Sequence, residues 1–151
     1  MGRSRRWLVW IGFAVPGLCG NVHAAGKLGV TDAWIRAAPP GANVVAGYAT
    51  LQNTGDAPLT LLTVQSDAFR MTSLHETIVD EGVSKMRELH RLRIAPGETV
   101  ALAPGGLHLM LSQPRGDLAA VGGKVRIVFL LTDGTRVETY FDVLAPDSEG
   151  G

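Results

Sequence analysis

Between residues 28 and 144, apolar side chains fall in short runs that largely alternate with polar ones. The runs are Val30 to Ile35, Val45 to Leu51, Leu59 to Val64, Phe69 to Glu76, Ser84 to His90, Thr99 to Leu102, His108 to Ser112, Val125 to Leu131 and Thr135 to Val143. Such lengths suit strands and are too short for ordinary helices. Turn chemistry separates them: Pro39-Pro40-Gly41, Asn53-Thr54-Gly55-Asp56, Asp80-Glu81-Gly82, Pro96-Gly97, Pro104-Gly105-Gly106 and Asp133-Gly134. Asp-Gly between two apolar runs is a two-residue hairpin signal. The pattern predicts an all-β domain of about nine short strands, an antiparallel sandwich or Greek-key barrel. The best helical candidate is one turn over Gly116 to Val121. No internal repeat or low-complexity segment interrupts the series.

Four residues in these strands share one chemistry. His75, Met86, His108 and Met110 are separated by ten, twenty-one and one intervening residues. His108 and Met110, two apart in a strand, project from the same face. The turn at Asp80-Glu81-Gly82 makes a hairpin of the strands holding His75 and Met86. Pairing positions that sum to about 161 would set His75 opposite Met86, within cross-strand reach. Taken singly, each residue has an ordinary explanation, because methionine commonly fills core gaps and a lone histidine is usually packed or solvated. Together they are two imidazoles and two thioethers, a neutral and soft set that suits Cu(I) rather than zinc, magnesium or calcium. Protons compete for imidazole nitrogen and not for thioether sulfur, so affinity is expected to fall in acid. Of the remaining candidates, His90 sits among Arg87, Arg91 and Arg93 and reads as a surface residue. Met71 alternates with Ser73 and His75, and reads as core filler before a supporting role beside the ligands.

The N-terminus reads as an export signal: Arg3, Arg5 and Arg6, an apolar stretch from Trp7 to Leu18, then Val22-His23-Ala24 as a cleavage site. Cleavage after Ala24 gives a signal peptide over 1–24, a domain over 25–145 and a polar tail over 146–151. General and twin-arginine export both remain open. Cys19 is the only cysteine and lies in the signal. The exported domain then has neither a disulfide nor a redox thiol, which excludes thiol–disulfide exchange and a blue-copper centre, which needs a cysteine ligand. Losing three arginines leaves 11 basic against 14 acidic side chains, a net charge of −3. This balance argues against nucleic acid, and no second apolar stretch argues for a membrane span.

The spacing H-x10-M-x21-H-x-M resembles the signature of the periplasmic PCu(A)C copper chaperones, carried here by His75, Met86, His108 and Met110. Asp32-Ala33-Trp34-Ile35-Arg36, Ala38-Pro39-Pro40-Gly41, Ala46-Gly47-Tyr48 and Leu51-Gln52-Asn53-Thr54-Gly55 are similar to that family's opening strands. Ser73-Leu74-His75-Glu76, Met86-Arg87 and Pro104-Gly105-Gly106-Leu107-His108-Leu109-Met110-Leu111 resemble its ligand strands. The resemblance covers residues 28 to 144. It implies a cupredoxin-like β-barrel with one Cu(I) per chain, held near the surface by two His and two Met. It also implies delivery of copper to cytochrome c oxidase, often its dinuclear centre, in the periplasm. Implied partners are the oxidase's copper-site subunit, another copper chaperone or a thiol reductase. Two departures stand out: Thr77 follows Glu76 where many members carry methionine, and no His or Met follows Met110. A second, Cu(II)-binding site is therefore not expected. The expected species is a monomer without stable membrane insertion.

Two rival readings belong to other classes. One is a metal-free exported β-sandwich recognition module using Trp34 and Tyr48 as contacts, although core packing suits both better. The other is an enzyme, which has little support. Glu76, Asp80, Glu81 and Glu88 read as a solvated turn, no nucleophile has a recognisable context, and no phosphate-binding glycine loop is present.

Overall fold

A computed structural model describes residues 27–37, 39, 41–116 and 120–148. The expected signal peptide with Cys19, part of the one-turn helix candidate and residues 149–151 lie outside the described residues. Ten strands follow in chain order: β1 (Leu28–Arg36), β2 (Val44–Asn53), β3 (Leu59–Ser66), β4 (Phe69–Asp80), β5 (Val83–Glu88), β6 (Leu92–Ile94), β7 (Thr99–Leu102), β8 (Leu107–Pro114), β9 (Lys124–Leu131) and β10 (Arg136–Leu144). The all-β expectation holds, with two corrections. There are ten strands rather than nine, because β6 is three residues long and lies among arginines, too short to show alternation. The sheet is also not a closed barrel. Its order is β5-β4-β8-β7-β2-β1-β10-β9-β3-β6, with β8 also paired to β2, so β5 and β6 are its two ends.

Alternation decides which side of each strand is buried. Ile35, Ala49, Leu51, Leu74, Leu109 and Leu111 point inward from one half of the sheet. Val125, Ile127, Phe129, Phe141 and Val143 point inward from the other half, and the core lies between them. In β1 the inward set begins with Leu28 and resumes at Ile35, an odd separation that one uniform strand cannot bury on one face. A bulge between Thr31 and Trp34, with Asp32 at φ 50°, corrects the phase. Gly47 pairs with Leu109, and a Cβ there would already touch the Leu109 and Leu111 side chains at 3.4 Å, so the glycine leaves room for both leucines on the inner face.

Asn53 ties the turn after β2 to β6. It is fully buried. Its amide donates to the carbonyls of Ala57 (2.8 Å) and Ile94 (3.1 Å), and its Oδ1 accepts from the Gly55 N–H (3.0 Å). The side chain is thereby satisfied, as burial requires. At the β9–β10 hairpin, Asp133 Oδ1 accepts the Thr135 N–H at 2.9 Å, and this hydrogen bond holds its carboxyl below the usual carboxylate range.

A carboxylate whose pKa is lowered by folding contributes stability above its unfolded pKa, and loses it as pH falls through the folded value. Asp133→Ala should therefore lower the denaturation midpoint at neutral pH. The difference from the parent should shrink once pH falls below about 4, as urea titrations at several pH values will read.

Candidate metal centre

The site follows from one pairing. β4 runs antiparallel to β8, with Leu74 opposite Leu109, His75 opposite His108 and Ser73 opposite Met110. Leu74, Leu109 and Leu111 are committed to the core. Their alternating neighbours His75, His108 and Met110 must then lie together on the outer face. β5 flanks β4 at the edge of the sheet and pairs Thr77 with Met86 and His75 with Glu88. The expected register of about 161 is therefore corrected to 163. The turn residues are Glu81 and Gly82, both at positive φ (51° and 78°), the geometry of a two-residue type I′ hairpin. A slip of two residues preserves the face, so Met86 still shares the His75 side, diagonally rather than directly opposite.

The His75 and His108 ring centres are 5.9 Å apart with planes inclined by 34°. A metal bonded at about 2 Å to one nitrogen of each ring holds ring centres roughly 5 to 6.4 Å apart, so the pair fits a shared ion. His108 Nδ1 lies 3.1 Å from the Gly106 carbonyl oxygen. A carbonyl only accepts, so Nδ1 carries the proton and Nε2 keeps its lone pair for a ligand. His75 Nε2 lies 2.9 Å from Ser73 Oγ, whereas its Nδ1 is buried with no hydrogen-bond partner. An orphaned buried ring nitrogen costs about 1–3 kcal/mol, and coordination would remove that cost.

Exposure is graded across the four. His108 is 8% exposed, His75 and Met110 are half-buried, and Met86 on the edge strand is 68% exposed. Among the described residues, no group of three or more His, Cys, Asp or Glu side chains could hold a metal ion. A metal held here by more than the two imidazoles would draw on the thioethers, whose softness favours soft ions.

Neighbouring residues complete the face. Trp34 and Tyr48 are buried and pack with ring centres 4.6 Å apart and planes inclined by 41°, with the Arg36 guanidinium 5.5 Å and 5.9 Å from them. They are covered residues of the outer face, not free contacts. Met71 corrects the core-filler expectation: it is 58% exposed on the same face, and its sulfur accepts from Gln113 Nε2 at 3.5 Å. His90 is exposed, with Nδ1 3.9 Å from Glu88. Sequence reading did not single out Ser73, Gly106 and Glu88 as neighbours of the candidate ligands. Only the two-residue spacings of Ser73 from His75 and of Gly106 from His108 hinted at the first two.

An all-β sandwich presenting two imidazoles and two thioethers on one outer face is the class that fold and site define together. A family model described as "Putative lipoprotein LpqE-like" matches residues 28–143, and the chain belongs to this family, the PCu(A)C family. It is 35% identical over 107 residues to "Putative lipoprotein Lxx21020" of Leifsonia xyli, covering 70% of this chain and 63% of that protein. It is 36% identical over 92 residues to "Uncharacterized protein RP573" of Rickettsia prowazekii, covering 60% and 50%. The chain thus spans half to two thirds of these relatives' length. Among solved structures, the copper-bound PCuAC domain from PmoF2 superposes with a TM-score of 0.67 at 25% identity, over 82% of this chain and 97% of that one. The Cu(I) form of DR1885 from Deinococcus radiodurans superposes with a TM-score of 0.63 at 28% identity, over 88% and 87%.

Two outcomes follow from this geometry. Long-range nitrogen–proton NMR of the neutral imidazoles should find His108 as the Nδ1–H tautomer. Gly82→Ala forces a side chain into left-handed backbone and should destabilise the protein by about 1 kcal/mol or more, read from denaturant unfolding.

Proposed function

We propose that this protein is an exported, periplasmic Cu(I) carrier rather than an enzyme, binding one ion through His75, Met86, His108 and Met110. The observation that carries the reading is the cross-strand His75–His108 pair, with Met110 beside it and Met86 on the adjacent strand. The copper-bound forms of the PmoF2 domain and of DR1885 support it. The relatives described as lipoproteins support export.

The graded exposure suggests how such a carrier works. His108, held by Gly106, is the anchored ligand, with His75 and Met110 beside it. Met86 stands outermost, where an acceptor's ligand can replace it first. Four neutral ligands leave the bound ion with one positive charge and favour Cu(I) over Cu(II) through the soft sulfurs. The acceptor in this reading is the copper-site subunit of cytochrome c oxidase, or another copper chaperone upstream of it. A monomer suffices, because one chain supplies all four ligands.

An anaerobic Cu(I) titration against a chromogenic chelator tests the binding. One equivalent should bind, and each single alanine substitution should weaken it about tenfold or more, which is about 1.4 kcal/mol. The loss should be smallest at Met86 and largest at His108. Binding indifferent to all four positions would defeat the reading. Delivery is tested separately, by mixing the loaded carrier with copper-free oxidase subunit and measuring the metal in each after separation.

A further inference from the structure

A cluster of guanidiniums lies away from the imidazole–thioether face, at the seam between β3 and β4. There a groove of about 300 Å³ is lined by Arg70, Arg115, Arg126 and Arg136. Four of the 11 basic residues that follow position 24 converge on it, in a stretch whose net charge is −3. Arg126 is braced by Asp67 Oδ2 at 2.8 Å and Glu138 Oε2 at 2.7 Å. Those carboxylates raise its pKa further above the ordinary arginine value, the Glu138 hydrogen bond most of all. Among the described residues, Arg136 donates only to the neutral Gln65 Oε1, at 3.2 Å. Among the described residues, Arg70 and Arg115 have no ion-pair partner. Four guanidiniums against two carboxylates leave the groove with an excess of positive charge.

We propose that this groove binds a phosphate group, either the free ion or the headgroup of an anionic phospholipid. A guanidinium grips an oxyanion side-on through two parallel N–H bonds. Three weakly compensated guanidiniums line the groove, and each can offer that grip. A tetrahedral phosphate can accept them on separate oxygens, whereas a planar carboxylate cannot. Phe69, the one aromatic residue lining the groove, is buried, so there is no platform for base stacking of the kind single-stranded nucleic acids use. Arg70 lies five residues before His75 on β4, about 16 Å of extended chain. None of His75, Met86, His108 and Met110 lines the groove, so the inference does not depend on the copper reading.

The test titrates the purified protein with inorganic phosphate at low ionic strength, with chloride at matched ionic strength as the control. Thermal melting is the readout, since a ligand of the native state raises Tm. In parallel, the protein is floated with vesicles of phosphatidylglycerol or of phosphatidylcholine. A phosphate-specific rise in Tm without flotation assigns the groove to the free ion. Flotation with phosphatidylglycerol alone, lost in high salt, assigns it to the headgroup. In either case the double variant Arg70→Gln, Arg136→Gln should weaken binding about tenfold or more. The control pair Arg91→Gln, Arg93→Gln, an equal charge change at β6 and away from the groove, should not. The single variant Arg70→Gln, whose side chain makes no hydrogen bond among the described residues, guards against a folding defect in the double variant. Absence of both responses, or responses undiminished in the variants, would overturn the proposal.

Discussion

The pairing of β4 with β8 is the constraint on which the rest depends. Leu74 and Leu109 are opposite one another and buried, so the register cannot shift by one residue without moving leucines into water and histidines into the core. Fully burying a leucine is worth about 1.5–3 kcal/mol, and Leu74, Leu109 and Leu111 are all tied to this register. His75 and His108 are brought together as the other side of the same decision. Core packing thus sets the distance between two polar side chains on the other face of the strands. Every strand pairing around the site, from β5 at the edge to β2 beyond β8, extends that register.

A set of candidate ligands built on strand faces differs from one built on loops. His75, Met86, His108 and Met110 all lie within strands, so their Cα positions are held by backbone ladders and would need little ordering to bind an ion. The exposed thioether lies on the terminal strand, where an unpaired edge also invites a second chain. β5 answers that hazard with charge: Lys85 pairs with Asp80 at 2.8 Å and Arg87 with Glu76 at 2.6 Å. Surface pairs of this kind add about 0–1 kcal/mol each. Their more useful effect is to discourage edge-to-edge association while leaving Met86 open.

The outside of the sandwich divides its chemistry. Around β4 and β8 the outer side chains are imidazole, thioether and hydroxyl, without net charge. At the seam of β3 and β4 they are guanidiniums over buried Val128. The same inner core supports both, because alternation leaves each strand's outer positions free to vary without disturbing Ile127 or Phe129 inside.

Much of this was legible in the sequence. Alternation and turn residues identify nine of the ten strands, and two-residue spacing puts His108 and Met110 on one face. Residue type alone makes the four-membered set soft. Other features were decided only by the tertiary structure. The hairpin register differed from the expected one by two residues, because Glu-Gly made a tight two-residue turn that composition does not announce as Asp-Gly would. Met71 turned outward because the phase of β4, set by Leu74, outweighs methionine's habit of filling cores. His75 and His108 are 33 positions apart, and no local rule pairs strands at that distance. The sequence by itself determined which side chains alternate and what they could bind. The fold decided which strands became neighbours, because burial of leucines on the far side of the sheet, not attraction between ligands, selects the pairing.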